Sequence, residues 1–204
     1  MASYNEEYKK INVFFMQGEE AMAEALVLSV DVGTQSTKMQ LIDRHGDALA
    51  TAVRRYAEPY RSPELYWAEQ DGDFYYEQIC AAARELKELQ SELLERCECM
   101  VITVFRDSFL CLDKDKKPLY PCILWLDQRS VDNPPSLPLR WELAVRAFGM
   151  KDTADYLGRR GIPNYFRICK PELWEKTDKY LALSAYLNYR LCGELCLADP
   201  PYPL

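Results

Sequence analysis

The sequence has a single histidine, no cysteine pair of the CxxC type and no long apolar segment. Each of these features argues against one class of protein. His45, in a predicted turn, gives poor support to a Ser–His or Cys–His triad and to a zinc site. No apolar stretch approaches the roughly 20 residues of a membrane-spanning helix. The N-terminus, MASYNEEYKK, has acids where a signal peptide needs a basic start and an apolar run. We therefore expect a cytoplasmic protein.

An excess of positive charge is also missing. The 204 residues include 25 Lys and Arg against 32 Asp and Glu, which gives a net charge of −7. Such an acidic chain is not attracted to nucleic acid or to a membrane surface, so we expect neither as a partner. About half of the residues are hydrophobic (49%), enough for a sizeable core. The length fits one domain, or one domain and a piece of another.

The eight cysteines lack the spacing of a metal site or a disulfide framework. The closest pair is Cys97 and Cys99, and several others lie among apolar residues, as in Leu110-Cys111-Leu112. We therefore predict that the cysteines are reduced core residues. The set is Cys80, Cys97, Cys99, Cys111, Cys122, Cys169, Cys192 and Cys196.

The first hundred residues predict an α/β fold. Apolar or alternating segments indicate strands at 26–31, 38–43 and 48–56, and their tight connections require an antiparallel meander. A long amphipathic helix over 71–96, capped by Asp71 or Asp73, leads to a fourth strand at 100–104, which a crossover helix makes parallel to the first. A mixed sheet in this order, with an acid ending the first strand, is how the ribonuclease-H-like nucleotide-binding fold begins.

The second half predicts two more strands and then helices. The strands are expected at 109–112 and 122–126, and residues 60–70 are expected to form a loop. Helices are expected at 141–148, 152–159, 171–179 and 184–191. Residues 1–25 resemble a helical or frayed extension, and the proline-rich end at 199–204 lacks a closing element.

The segment VLSVDVGTQSTK, residues 27–38, carries the strongest chemical signal. A strand ends at Asp31, and Gly33 then allows a close backbone approach in a turn with the hydroxyls of Thr34, Ser36 and Thr37. Backbone N–H groups in such a concavity suit phosphate oxygens. Asp31 would hold Mg²⁺ through water, and Lys38 adds a positive charge just past the turn. The alternative is a hairpin turn rich in small residues; the two other common phosphate motifs, G-x-x-x-x-G-K-[ST] and G-x-G-x-x-G, are absent.

Three segments together resemble the N-terminal domain of the FGGY family of carbohydrate kinases, which includes glycerol kinase and xylulokinase. The segments are 28–38, the loop Trp67-Ala68-Glu69-Gln70-Asp71, and Phe105-Arg106-Asp107-Ser108 followed by Ile123-Leu124-Trp125-Leu126-Asp127-Gln128-Arg129. A weaker match continues through 161–166 and 186–194. The resemblance covers about residues 26–198 and implies the first domain of an actin-like ATPase fold.

The resemblance implies a role for each matching residue. Asp31 matches the acid associated with Mg²⁺ and phosphate, and the loop facing the ATP phosphates matches Gly33, Thr34, Gln35, Ser36, Thr37 and Lys38, with Gln35 in place of the commoner threonine. ATP and Mg²⁺ are therefore the expected cofactors.

The same resemblance implies a binding site for a small sugar or polyol. Arg106 and Asp107 match an Arg–Glu pair that binds polyol hydroxyls in glycerol kinases, where xylulokinases have Met–His. A surface ion pair at a strand end is the alternative for these two residues. Trp125 and Tyr165 match aromatic positions at the sugar site, although Trp125 could also be a core residue. Asp127 and Arg129 are expected to brace the loop instead of contacting substrate.

The family's enzymes are far longer, and the general base lies past the point that matches Leu204. We therefore interpret residues 26–204 as an incomplete FGGY N-terminal domain, the first part of a kinase that is inactive by itself and that could self-associate through exposed apolar surface. Two alternatives stay open at this point. One is a non-catalytic binding protein derived from a kinase, and the other is a different ATPase of the same superfold.

Overall fold

The structure, a computed structural model, describes residues 25–195. The predicted extension, apart from residue 25, and the proline-rich end lie outside the described residues. The strands are β1 (Leu26–Val32), β2 (Ser36–Ile42), β3 (Ala48–Arg55), β4 (Glu69–Gln70), β5 (Cys97–Val104), β6 (Phe109–Leu112), β7 (Cys122–Ile123) and β8 (Lys179–Ala182). The helices are α1 (Gly72–Glu95), α2 (Leu139–Ala147), α3 (Lys151–Arg160), α4 (Ile162–Cys169), α5 (Pro171–Lys176) and α6 (Leu183–Cys192).

The described chain divides into two compact units. The first contains 25–32, 37–54 and 79–103, and the second contains 33–36, 55–78 and 104–195. The first unit holds most of a sheet with the order β3-β2-β1-β5, and the second holds a sheet with the order β4-β7-β6-β8. The predicted mixed sheet is therefore formed by β1, β2, β3 and β5. The remaining four strands form a separate sheet.

The first sheet has the predicted strand directions. β1 and β2 are antiparallel, with Val27 opposite Ile42 and Val32 opposite Thr37. The Leu26 amide donates to the Arg96 carbonyl at the start of β5 (3.1 Å), and at the other end the Thr103 hydroxyl donates to the Val30 carbonyl (3.3 Å). The start of β1 is thus next to the start of β5, and the end of β1 is next to the end of β5. β5 therefore runs parallel to β1, as predicted. None of the eight residues of β5 is buried.

Alternating burial explains why β1 and β2 form strands. Leu26, Leu28, Val30 and Val32 are buried along β1, and Thr37, Met39 and Leu41 are buried along β2. Apolar residues two apart lie on one face of a pleated strand, so each strand covers the core with that face. The other face of each strand carries the polar residues of the hairpin.

Helix α1 follows the predicted pattern and cap. Its buried apolar side chains, spaced three or four apart, are Tyr75, Ile79, Ala82 and Leu86. An Asp71 carboxylate oxygen accepts the Asp73 N–H (3.0 Å), which identifies Asp71 as the capping residue. The helix is interrupted at Gln90, whose φ of −149° and ψ of 59° are not helical.

The second unit differs most from the sequence predictions. Residues 60–70 contain β4, the strand at 122–126 is only two residues long, and α4 was not predicted. The helix expected at 171–179 ends at Lys176, and β8 follows from Lys179. β8 pairs antiparallel with β6, with Leu181 opposite Leu110. Strand pairing with a distant segment therefore prevails over the local helical pattern.

Helices α2 and α3 have no buried residue. The region after Ser130 therefore exposes apolar surface, while self-association through it stays a prediction. The most exposed apolar residues there are Leu139 (74%), Leu157 (62%) and Phe148 (80%). Within the part of the chain that the structure describes, no helix is long and apolar enough to cross a bilayer.

The prediction that the cysteines are core residues is only partly right. All seven cysteines between residues 25 and 195 are free, but only Cys111 and Cys122 are buried, while Cys99, Cys169 and Cys192 are exposed. An apolar sequence neighbourhood does not decide burial on edge strands and at helix ends. Cys196 lies outside the described residues.

Burial should also separate the reactivity of the thiols. It raises the pKa of Cys111 to about 11 and the pKa of Cys122 even further, so neither forms the reactive thiolate near neutral pH. We expect iodoacetamide at pH 8 to alkylate Cys99, Cys169 and Cys192 in the folded protein, and Cys111 and Cys122 only after unfolding. Peptide mass spectrometry measures this, and equal labelling of Cys111 and Cys169 in the folded protein would contradict the assignment.

Candidate active site

The turn between β1 and β2 is held by backbone hydrogen bonds. The Gly33 amide donates to the Ser36 carbonyl (2.9 Å), and the Tyr56 amide donates to the Gln35 carbonyl (2.9 Å). A Cβ atom on Gly33 would lie 3.3 Å from the Ser36 carbonyl oxygen, so a larger residue there would require a small shift of the turn. The predicted phosphate-facing turn therefore has a backbone conformation that the protein itself maintains.

Asp31 and Lys38 are exposed and lie opposite each other on β1 and β2. One Asp31 carboxylate oxygen lies 3.4 Å from the Thr103 hydroxyl, which confirms that the end of β1 is next to the end of the fourth long strand. Thr37 is different, because it is fully buried in β2. Its hydroxyl is enclosed in the protein, whereas Thr34 and Ser36, the other two residues with predicted phosphate-facing hydroxyls, are half-buried.

Trp125 joins this turn to the second sheet. Its indole N–H donates to the Thr34 hydroxyl (3.0 Å), and its backbone N–H donates to the Ser108 hydroxyl (3.0 Å). The side chain is 52% exposed. The alternative that Trp125 is a core residue is therefore wrong, and its ring is available to a ligand.

A cavity of about 630 Å³ lies in the second unit, and Trp125 forms part of its wall. Asp107 also lines it, from the turn that follows β5. The volume is within the range of small-molecule sites, which is about 300–1,000 Å³. Asp107 and Trp125, two of the four residues predicted to bind substrate, are thus brought to one cavity.

Arg106 does not share the position of Asp107. It is exposed and does not line the cavity, and within residues 25–195 no ion pair joins it to Asp107. Asp107 has a φ of 58°, in the left-handed region, so the chain turns sharply between the two residues. The structure therefore does not bring the predicted Arg–acid pair together at the cavity.

Tyr165 is also displaced from its predicted role. It is 5% exposed, and its ring packs edge-on against Trp67 with centroids 5.7 Å apart. The Arg129 guanidinium carbon lies 4.7 Å from the centre of the ring. Burial raises the pKa of Tyr165, so its hydroxyl stays protonated. Tyr165 belongs to the core behind the cavity and is not part of the cavity wall.

Arg129 is the centre of a buried ionic network. Its side chain donates 2.7 Å hydrogen bonds to both carboxylate oxygens of Asp127 and to one oxygen of Glu69. The Tyr120 hydroxyl donates to the same Glu69 oxygen (2.7 Å), and Asp127 also accepts the Ala68 N–H (2.7 Å). These contacts confirm that Asp127 and Arg129 brace the loop, and they show that Glu69 belongs to the same network.

The environment of Arg129 keeps it charged. Burial by itself would lower the pKa of the guanidinium, but the hydrogen bonds and charges of Asp127 and Glu69 raise that pKa above its usual value. One face of the guanidinium lies 4.0 Å from the centre of the Trp67 ring, a cation–π contact. The nitrogen Nη1 is buried without a hydrogen-bond partner among the described residues.

Sequence reasoning missed the wall of the cavity formed by α3 and α4. Arg160 ends α3, and Asn164 and Arg167 lie on α4. Pro163 near the start of α4 was a usable signal, because proline is favoured in the first turn of a helix. The positions of the two arginines relative to Trp125 depend on tertiary structure and leave no local pattern.

Between residues 25 and 195, no group of three or more His, Cys, Asp and Glu side chains is arranged to hold a metal ion. A single exposed carboxylate, such as Asp31, fits a Mg²⁺ ion that keeps most of its waters and takes further oxygens from phosphates. The described residues therefore fit a shared metal site and not a protein-only cage.

Comparison with known proteins adds the decisive observation. Residues 26–138 match the N-terminal domain of the FGGY family of carbohydrate kinases. The chain belongs to this family. That result excludes the alternative of an ATPase from another family of the same superfold.

FGGY relatives with different substrates in their names are similar to the chain. It is 29% identical over 104 residues to a gluconokinase from Bacillus subtilis (strain 168), in a match that covers 51% of this chain and 20% of that enzyme. It is 27% identical over 187 residues to a glycerol kinase from Thermococcus kodakarensis, with 84% of this chain and 35% of that enzyme covered. The matches thus span 20–35% of the length of these two FGGY relatives.

The structure is similar to that of an FGGY glycerol kinase from Plasmodium falciparum with ADP. The TM-score is 0.59 at 21% sequence identity, covering 84% of this chain and 35% of that one. At this identity the likeness establishes the fold, an α/β actin-like ATPase fold with a mixed sheet and flanking helices. The predicted fold class is thereby confirmed.

Proposed function

We propose that this chain forms the sugar side and the phosphate-facing turn of an ATP-dependent carbohydrate kinase, which transfers the γ-phosphate of ATP to a hydroxyl of a sugar or polyol. The observation that carries the proposal is the hydrogen bond from the Trp125 indole to Thr34. It joins the turn predicted to face phosphate directly to the wall of a cavity large enough for a sugar. Phosphoryl transfer depends mainly on holding these two substrates side by side.

On the nucleotide side, the turn supplies backbone N–H groups and the hydroxyls of Thr34 and Ser36 to phosphate oxygens. Asp31 would hold Mg²⁺ with water molecules, and the metal would neutralise charge on the phosphates when bound. Lys38, opposite Asp31 on the hairpin, adds a second positive charge. The ADP bound to the Plasmodium falciparum relative supports ATP as the phosphoryl donor.

On the sugar side, the exposed Trp125 ring offers an apolar face to the C–H groups of a sugar. The Asp107 carboxylate is an acceptor for sugar hydroxyl groups at the same cavity. We place the general base for the hydroxyl outside these 204 residues, as the family resemblance implies.

A calorimetric titration and a coupled ADP-release assay test the proposal together. We expect the 204-residue chain to bind MgATP, and Asp31→Ala to weaken that binding at least about tenfold, equivalent to ~1.4 kcal/mol. The exposed hairpin residue Asp47 provides a matched control, and Asp47→Ala should bind like the wild type. We expect no ADP release with polyols, ketoses or aldonates, because a missing general base typically lowers the rate by about 10²–10⁴-fold.

One result would contradict the role of Asp31 in MgATP binding, and a different result would contradict the expected lack of activity. Equal MgATP binding by the wild type and Asp31→Ala would remove the assigned role of Asp31 at the phosphates. Sugar-dependent ADP release by the wild type that is lost in Asp31→Ala would confirm the kinase chemistry, and would show that the 204 residues suffice for it.

A further inference from the structure

The charge of the cavity wall points to the class of sugar that it takes. Three arginines and two aspartates line the cavity, namely Arg129, Arg160, Arg167, Asp107 and Asp127. Arg129 pairs with the carboxylates of both Asp127 and Glu69 in the buried network, so its guanidinium is not free to pair with a ligand. The charges that remain for a ligand are therefore those of Arg160, Arg167 and Asp107.

Neither of the two remaining arginines forms an ion pair with a carboxylate of residues 25–195. Arg160 donates to the backbone carbonyl of Asp127 (2.6 Å) and lies over the Tyr156 ring, with 5.6 Å from its guanidinium carbon to the ring centre. The guanidinium carbon of Arg167 lies 5.2 Å from the centre of the Trp174 ring. These contacts orient both guanidinium groups, and among residues 25–195 neither has a carboxylate within ion-pair distance.

The first turn of α4 strengthens the positive potential at this wall. Ile162, Pro163 and Asn164 line the cavity between the two arginines in sequence. A helix N-terminus carries a partial positive charge, which favours a nearby anion. This wall thus combines two guanidinium groups with a favourable dipole, and Asp107 supplies the acceptor for hydroxyl groups.

We propose that the cavity takes a sugar acid, with Arg160 and Arg167 binding its carboxylate and Asp107 accepting from its hydroxyls. The proposal rests on the function proposed above, because it assumes that this cavity is the sugar site. A guanidinium matches a carboxylate with two parallel hydrogen bonds, a charge-assisted contact that no neutral polyol can make. A neutral polyol would leave both arginines without an anionic partner.

The test compares two ligands that differ at one carbon. D-Gluconate and D-glucitol share the same chain length, and the carboxylate of the first replaces a hydroxymethyl group of the second. Isothermal titration of the full chain at low ionic strength should show gluconate binding at least about tenfold more tightly than glucitol. The preference should shrink as salt is added, because these charges are partly exposed.

Substitutions of the two arginines test whether they cause the preference for gluconate over glucitol. Arg160→Met and Arg167→Met should each weaken gluconate binding more than glucitol binding, and the double variant should lose the preference for gluconate. Arg159→Met is the matched control, since Arg159 is an exposed neighbour that does not line the cavity, and it should keep the preference. Thermal unfolding checks that each variant is folded.

The outcomes separate the two proposals. Binding of glucitol as tight as that of gluconate would overturn the sugar-acid assignment and leave the kinase proposal standing. The assignment would also fall if the double variant kept the preference, or if acetate at equal concentration displaced gluconate completely. Binding of neither ligand, nor of glycerol, would overturn the assignment of the cavity as a sugar site, and the sugar-acid proposal with it.

Discussion

Replacing Arg129 by methionine should lower the free energy of unfolding by about 3–5 kcal/mol, the usual effect of breaking a buried ion pair from one side. The side chains of Arg129, Glu69 and Asp127 are only 2%, 9% and 3% exposed. Without the guanidinium, two carboxylates stay buried close to each other with no positive charge between them. Urea unfolding followed by tryptophan fluorescence measures the change.

The ion pair between Arg146 and Glu142 provides the control. It joins side chains four residues apart on α2, and the Arg146 side chain is 59% exposed. Arg146→Met should change the free energy of unfolding by less than about 0.5 kcal/mol, since exposed pairs contribute little. If Arg129→Met does not fold, Arg129→Lys gives a measurable intermediate, because it keeps the charge and loses the paired hydrogen bonds. Equal small effects at both positions would show that the buried network is not a major source of stability.

Trp125→Ala should weaken sugar binding at least about tenfold, or ~1.4 kcal/mol, because it removes both the apolar wall of the cavity and the bond to Thr34. The measurement is calorimetric titration with whichever of D-gluconate, D-glucitol and glycerol binds the wild type most tightly. Trp125→Phe keeps an aromatic ring without the N–H donor, so it should retain part of the affinity.

Trp141 is the matched control for Trp125. Its side chain is similarly exposed, at 56%, but it lies on α2 and does not line the cavity. Trp141→Ala should leave sugar binding unchanged. If both alanine variants bind sugar like the wild type, the ring of Trp125 is not part of the sugar site.

Local pattern was sufficient to predict the first sheet. The alternation of Leu26, Leu28 and Val30, the turn after Asp31 and the periodic apolar face of α1 each depend on residues close in sequence. A parallel crossover then has one favoured arrangement, so the place of β5 beside β1 followed. Sequence reasoning works here because each element has a visible local pattern, and the handedness of the crossover supplies the one distant pairing, that of β5 with β1.

The second sheet could not be predicted in the same way. β4 and β7 have only two residues each, too few for a period to be visible. β8 follows a helical segment directly and exists because Asp178 and Leu181 meet β6, almost seventy residues earlier in the chain. Strand formation in this unit depends on partners that are distant in sequence.

In the candidate site, too, some features could be predicted from the sequence and others depend on the tertiary structure. Of the residues that the family resemblance assigned to the substrate, Asp107 and Trp125 line one cavity, whereas Arg106 does not line it and Tyr165 is buried. Those outcomes depend on the left-handed backbone at Asp107 and on the packing of Tyr165 against Arg129. Arg160 and Arg167 gave no signal, because only the fold places them at the cavity.

The hydrogen bond between Trp125 and Thr34 also has a thermodynamic consequence. Under the proposed function, a sugar that restricts the motion of the indole would restrict Thr34 as well, so a nucleotide that binds second would lose less conformational entropy. Linkage requires the reverse effect to be equal, with the nucleotide raising sugar affinity by the same factor. The two substrates would then bind with positive cooperativity that is transmitted through one side-chain contact.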